Sequence, residues 1–398
     1  MKSLIDRLHE RFASTEIHNA DIIPDTTKWD SFLAKLPTPK DSVDEAYNKY
    51  RCRMYYFPLY KRVIANIFGF AAIPVMLFFL VKSDKSILPM QKGVAVLEKS
   101  RDVPQYDDLF PETLYKQYKI EISENFNKKF GILCKEAKTL FWKSMRKHPF
   151  SFFYNYFVYM ELAAHSYFLL KYNPEVTIVY VNNRNVASPI ITELYENDGR
   201  QFISFMHGEF LRELFNGYMS FSKYYIWNST YISMFKSLNC NIKKYEIYTP
   251  GKLKKKWNLE SITPEYYCTY YLSGQSKNYI LKLGGLLETL EKRGKKCKVR
   301  PHPRNLQYTK EILNSFNHIR IENSKEVSMK DSLASTQYAV GLNTTVLSEA
   351  YIEGRKVVID DISDPGHFED SKNRGAAAFA REHILFSNLI KMSENRQP

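Results

Sequence analysis

Four short stretches of this 398-residue chain combine residue types that could do chemistry. In "SFMHGEF", His207 and Glu209 flank Gly208. An imidazole beside a carboxylate suits a general base, because the carboxylate orients the ring and raises its basicity. A histidine that only caps a turn would leave the same pattern. In "KVRPHPRN", Pro301 and Pro303 bracket His302, and Arg300 and Arg304 lie outside them. Proline fixes φ and extends the residue before it, so the array could aim one imidazole and two guanidinium forks at a phosphate. It could equally be a strand exit with solvated arginines. In "VGLNTTVLSEA", Asn343, Thr344 and Thr345 stand at a helix start, where unpaired N–H groups and a partial positive charge favour an anion. Ser348 and Glu349 follow one turn later, where a carboxylate could meet ribose hydroxyls; a plain capping motif reads the same way. In "LSGQS", Ser273 and Gly274 end another strand and could meet a donor phosphate.

All four must be positioned by strands, and the chain supplies them in alternation with helices. "EVTIVYVNN" (175–183), "QFISFMHGEF" (201–210), "KYYIWN" (223–228) and "KKYEIYTPG" (243–251) read as buried strands. Helices are expected at 188–200, begun by Ser188-Pro189 and stopped at Gly199, and in "STYISMFKSLNC". A basic, Pro/Gly-punctuated linker at 251–266 follows. Alternation then resumes, with strands at 267–271, near 297, 318–323, 338–343 and 356–361 and helices between them. Strand–helix–strand order with short connections predicts parallel sheets. The expected fold class is α/β, with two Rossmann-like halves (86–250 and 267–398) facing a cleft, and ligands bind beyond the carboxyl ends of such strands.

Residues 1–85 are expected to form a helical, aromatic, membrane-contacting extension. The chain carries 29 tyrosines and 26 phenylalanines, and its net charge of +14 points to an anionic partner. No RNA-recognition, zinc-finger or helix-turn-helix pattern occurs, so nucleic acid is not the expected one, although a basic anion-binding membrane protein stays open. Five scattered cysteines suit a reduced cytoplasmic chain, and "MKSLIDRLHERF" does not read as a secretory signal. Residues 63–81, "VIANIFGFAAIPVMLFFLV", run for 19 positions without a charge between Lys61-Arg62 and Lys82/Lys85. A buried core helix, an interfacial membrane contact and a span are all open. Asn66, Gly69 and Pro74 interrupt the run, and basic flanks at both ends give no orientation, so interfacial docking is preferred. There are no metal-ligand spacings, no GxGxxG after a first strand and no P-loop.

The order HGE, then HP, then N-T-T with S-E resembles GT-B glycosyltransferases of bacterial surface-polysaccharide synthesis, over about residues 175–362. It is similar to bacterial sialyltransferases and polysialyltransferases, and to CDP-glycerol glycerophosphotransferases. The resemblance implies that His302 and Pro303 hold a nucleotide phosphate and that Thr344 and Thr345 anchor it. The acidic-Gly base motif of the sialyltransferases is absent at the strand end, where His207-Gly208-Glu209 stands, and Asp198-Gly199 falls at a helix end. His207 is therefore the expected base. The resemblance further implies a nucleotide-sugar donor, with CMP-sialic acid expected first. The acceptor would be a lipid-linked capsule, O-antigen or lipooligosaccharide glycan. No cofactor or metal is expected, and the site of action would be the inner face of the plasma membrane. A CDP-glycerol or CDP-ribitol phosphotransferase, or a UDP- or GDP-sugar transferase, is the alternative.

Overall fold

A computed structural model describes residues 27–81, 85–98, 110–123, 131–180, 185–206, 210–251, 254, 257, 259, 261–316, 318–342, 344–375 and 377–394. The chain divides into two compact units, one made of Thr27–His207 and Arg212–Pro250, the other chiefly of Gly251–Pro398. Both are α/β units built on parallel sheets.

The first unit holds helices α1 (Thr27–Ala34), α2 (Ser42–Met54), α3 (Leu59–Val81), α4 (Glu112–Gln117), α5 (Lys135–Lys147), α6 (Phe152–Tyr172), α7 (Ser188–Glu196) and α8 (Thr230–Ser237). Its strands are β1 (Gln91–Leu97), β2 (Lys119–Ile122), β3 (Pro174–Tyr180), β4 (Gln201–Phe205), β5 (Ser220–Phe221), β6 (Lys223–Ile226), β7 (Asn241–Ile242) and β8 (Tyr245–Ile247). Six of them form a parallel sheet in the order β2-β1-β3-β4-β6-β8, and β5 pairs with β7. Val176, Thr177, Ile178 and Val179 of β3 and Phe202, Ile203 and Phe205 of β4 are buried, as parallel strands covered on both faces require. One face packs Ala95, Val176, Ile203 and Tyr225 against Phe110 and Leu114. The other receives α6, whose residues are buried almost all round. Helices α1 and α2 join this unit through Trp29, Leu33 and Cys52, which pack on Leu214, Tyr218 and Leu238.

Helix α3 contains the long apolar run and is continuous through Pro74. It is not a buried core helix, because only Ala65, Gly69, Met76 and Leu80 of its residues are buried. Two of the three residues expected to interrupt it serve its packing, and Pro74 lies on the exposed side. The Asn66 amide donates to the Phe150 carbonyl (3.1 Å) and accepts from the Phe153 N–H (3.1 Å). Gly69 lets the Phe152–Phe153 backbone approach more closely than any Cβ would allow.

The second unit holds β9 (Tyr266–Tyr271), β10 (Cys297–Arg300), β11 (Arg320–Ile321), β12 (Thr336–Gly341), β13 (Lys356–Ile359) and β14 (Ile384–Leu385). They form a parallel sheet in the order β11-β10-β9-β12-β13-β14. Its helices are α9 (Lys277–Lys292), α10 (Leu306–Leu313), α11 (Met329–Ala334), α12 (Thr345–Ile352), α13 (Pro365–Asn373) and α14 (Phe386–Glu394). Alternation along β9 sends Cys268 and Tyr270 to a core with Leu283, Leu287 and Phe386, and Tyr271 to the opposite core with Leu333, Leu347 and Ile359.

Candidate active site

Four strands of the second unit end level with one another. Arg300 of β10 pairs with Tyr271 of β9, Tyr271 with Gly341 of β12, and Gly341 with Ile359 of β13. At about 4.8 Å per strand spacing, the residues that follow leave the sheet along one edge on the order of 14 Å wide. Ser273 and Gly274, His302 and Pro303, and Thr344 and Thr345 therefore share that edge. Sequence placed each at a strand end; strand order and register make those ends neighbours.

The turn after β9 is pinned at both ends. Asp360, fully buried just past β13, accepts the Tyr270 hydroxyl of β9 (2.6 Å) and the Tyr279 hydroxyl of α9 (2.9 Å). It also accepts the N–H groups of Ile362 (3.1 Å) and Ser363 (2.9 Å). Between the two tyrosines, Gln275 closes the turn. Its side-chain oxygen accepts from the N–H of Ser273 (2.8 Å) and Gly274 (3.0 Å), and its amide donates to the Ser273 hydroxyl (3.0 Å). Ser276 then caps α9 by accepting from the Tyr279 N–H.

The loop after β10 is short. Pro301 is buried, His302 is exposed, and Pro303 begins a 3-10 turn (Pro303–Asn305) that runs into α10. The His302 carbonyl accepts the Asn305 N–H at 2.8 Å, and the Asn305 amide reaches the Ser273 carbonyl at 3.5 Å. Asn305 thus ties the His302 loop to the Ser273 turn.

After β12, Thr344 is the N-cap of α12, and its hydroxyl accepts from the Val346 N–H (3.4 Å). The Leu347 N–H bonds to the Thr344 carbonyl (3.2 Å), so neither bond uses the first helical N–H, that of Thr345. Glu349 is half-buried one turn on, whereas Ser348 is fully buried on the inward side of the helix.

Arg300 differs from the loop-borne phosphate fork expected of it. As the last residue of a covered strand it is 8% exposed, and its guanidinium is bound to Glu322 and to the Val327 carbonyl (2.9 Å). Lys298 approaches the same carboxylate and donates to the Ser335 hydroxyl (2.9 Å). Burial raises the Glu322 carboxyl pKa, but bonds from Lys298, Ser332 and Arg300 outweigh it and hold the group below its ordinary value. Arg300 supports the base of the His302 loop instead of reaching from it.

His207, Gly208, Glu209 and Asn343 lie outside the described residues, as does the Arg304 side chain. Asp198, of the Asp198-Gly199 pair, is at the opposite, amino-terminal edge of the first sheet. It follows α7, where Gly199 has φ +69° as a helix stop, and it pairs with buried Arg200 (2.5 Å). Sequence reasoning passed over Asp360, Gln275 and Asn305. The expected strand 356–361 encloses Asp360, but β13 ends at Ile359, two residues earlier, so Asp360 is the first residue past the strand end. Among the described residues no group of His, Cys, Asp and Glu could hold a metal ion. A cavity of about 370 Å³ in the first unit is lined by Asp41, Glu45, Glu193 and Glu196 together with Lys40 and Lys243.

No protein-family model matches the chain, and no curated protein sequence does either. Among solved structures it is similar to a UDP-forming α,α-trehalose-phosphate synthase from Burkholderia xenovorans, at 11% identity and TM-score 0.38, covering 71% of this chain and 91% of that one. It is also similar to the wall teichoic acid polymerase TagF, at 10% identity and TM-score 0.41, covering 84% and 88%. A UDP-N-acetylglucosamine 2-epimerase from Rickettsia bellii matches at 10% identity and TM-score 0.39, covering 67% and 78%.

Proposed function

We propose that the chain is a GT-B glycosyltransferase whose second unit binds the phosphate of a nucleotide-activated sugar. The observation that carries this reading is the shared register of Arg300, Tyr271, Gly341 and Ile359, which puts His302, Ser273 and the α12 start on one edge. An exposed imidazole, a small-residue turn and a helix N-terminus are the donors a leaving phosphate needs. Arg300 and Glu322 hold that edge from below.

In the reaction, His207 takes the proton of an acceptor hydroxyl while the hydroxyl oxygen attacks the anomeric carbon. The bond to the nucleotide phosphate breaks, and the departing charge is met by His302 and the N–H groups at Thr344–Thr345. Glu209 orients the imidazole. This distribution of charge needs no metal ion, so turnover should survive EDTA. The donor proposed first is CMP-sialic acid, and the acceptor a lipid-linked bacterial surface glycan.

A thermal-shift series with CMP, CDP, UDP and GDP tests the donor, since a ligand that binds only the folded chain stabilises it by mass action. CMP is expected to raise the melting temperature, His302→Ala to remove that rise, and His207→Ala to keep it while losing transfer. A rise with CDP alone would move the reading to CDP-glycerol-type phosphotransfer. No rise with any nucleotide, or full turnover in both histidine variants, would overturn it.

A further inference from the structure

Helix α3 presents to its surroundings a face that none of the described residues of the first unit covers. Its buried residues Ala65, Gly69, Met76 and Leu80 form one stripe against α6. At 100° per residue the opposite arc is made of Val63, Ile67, Phe70, Ala71, Pro74, Leu77, Phe78 and Val81, every one of them apolar. Exposure along it is high: 63% at Ile67, 60% at Phe70 and 83% at Val81. Phe150, 81% exposed, extends the patch sideways, because its carbonyl is the one held by Asn66. Soluble monomers rarely leave so long an apolar strip in water.

We infer that this face docks in the plane of an anionic lipid bilayer, with α3 lying flat in the headgroup–acyl boundary. Charge selects that occupant. Lys61 and Arg62 stand at the start of α3; beyond its end Lys85 and Lys135, whose N–H donates to the Lys85 carbonyl, add two cations, and with Lys82 these outnumber Asp84 and Glu136 there. Both ends are therefore basic, as suits a helix whose two ends meet the same layer of phosphate headgroups. A second copy laid on the face in two-fold fashion would set these cations against their counterparts in the partner, which opposes self-association. Exposed Tyr56 and Tyr60 suit the headgroup zone at the first end. Spanning is opposed by the anchoring: the stripe from Ala65 to Leu80 and both Asn66 bonds hold α3 on α6, which is itself enclosed by the sheet and its helices. The inference stands without the glycosyltransferase reading.

The test is flotation of the full chain added to preformed phosphatidylcholine vesicles with and without about 30% phosphatidylglycerol. The wild-type chain should float with the anionic vesicles and bind the neutral ones at least roughly tenfold more weakly. The double variant Ile67→Glu/Phe78→Glu should lose flotation while keeping its near-UV circular dichroism and its cooperative thermal unfolding. Wild-type protein that does not float, or a folded variant that floats as well as wild type, would overturn the proposal. So would a lipid-indifferent dimer that the variant converts to monomer, or binding achieved only by synthesis in the presence of membranes and resistant to alkaline carbonate.

Discussion

Asp360 concentrates four hydrogen bonds on one buried carboxylate, two from tyrosine hydroxyls and two from backbone N–H groups. Asp360→Ala would strand these donors without water. With about 1–3 kcal/mol for each buried donor left unsatisfied and partial relaxation, we expect a loss of roughly 3 kcal/mol, read as a lower urea midpoint at unchanged slope. Titration gives a second expectation. His165, fully enclosed and bonded to the Tyr195 hydroxyl at 3.2 Å, is pushed down by burial to about 3. The unfolded chain takes up that proton below about 6.5 and the folded chain does not, so stability falls as pH drops from about 6.5 toward 3. Burial raises Glu45 to about 7 and Glu161 to about 8, and both act in the opposite sense, costing stability as pH rises above the ordinary carboxylate range. The difference between wild type and His165→Asn isolates the histidine. The variant's stability should fall less steeply between pH 6 and 4, by up to about 1.4 kcal/mol per pH unit, in denaturant titrations at stepped pH.

At the scale of elements, the α3–α6 contact depends on Gly69 having no side chain. Gly69→Leu would force the Phe152–Phe153 backbone away and should cost about 2 kcal/mol or more, whereas Ala71→Leu on the outer face should be close to neutral. Equal losses in both, measured by chemical denaturation, would mean that α3 is not seated as described. This helix also shows what a local reading misjudges. Asn66, Gly69 and Pro74 are poor helix residues taken alone, yet the helix runs through all three because two of them serve the packing against α6. By contrast the order of strands and helices over residues 266–361 was legible, with strand ends displaced by up to two residues, since buried parallel strands need β-branched and aromatic runs and their helices need caps such as Ser276 and Thr344. β14, only two residues long, carried no such signal.

At the scale of the whole chain, each unit encloses its own apolar cores. Calorimetry should therefore resolve two unfolding transitions, and CMP should raise only the one belonging to Gly251–Pro398. A single transition that moves as a whole with nucleotide would contradict separate cores or the placement of the donor site.

Periodicity and turn chemistry along the chain established a parallel α/β fold, the strand ends at which chemistry could sit, and the small polar residues found there. Those properties depend on neighbours a few residues apart. Which strand lies beside which, and in what register, depends on pairings between residues tens of positions apart, and only folding settled them. Register brought Ser273, His302 and Thr344 to one edge, turned Arg300 inward to Glu322, and made Asp360 the clamp behind the Ser273 turn. The apolar run at 63–81 was plain in the letters, but which of its sides is covered was not. The close approach at Gly69 decided that, leaving an outer face of apolar side chains with cations at both ends.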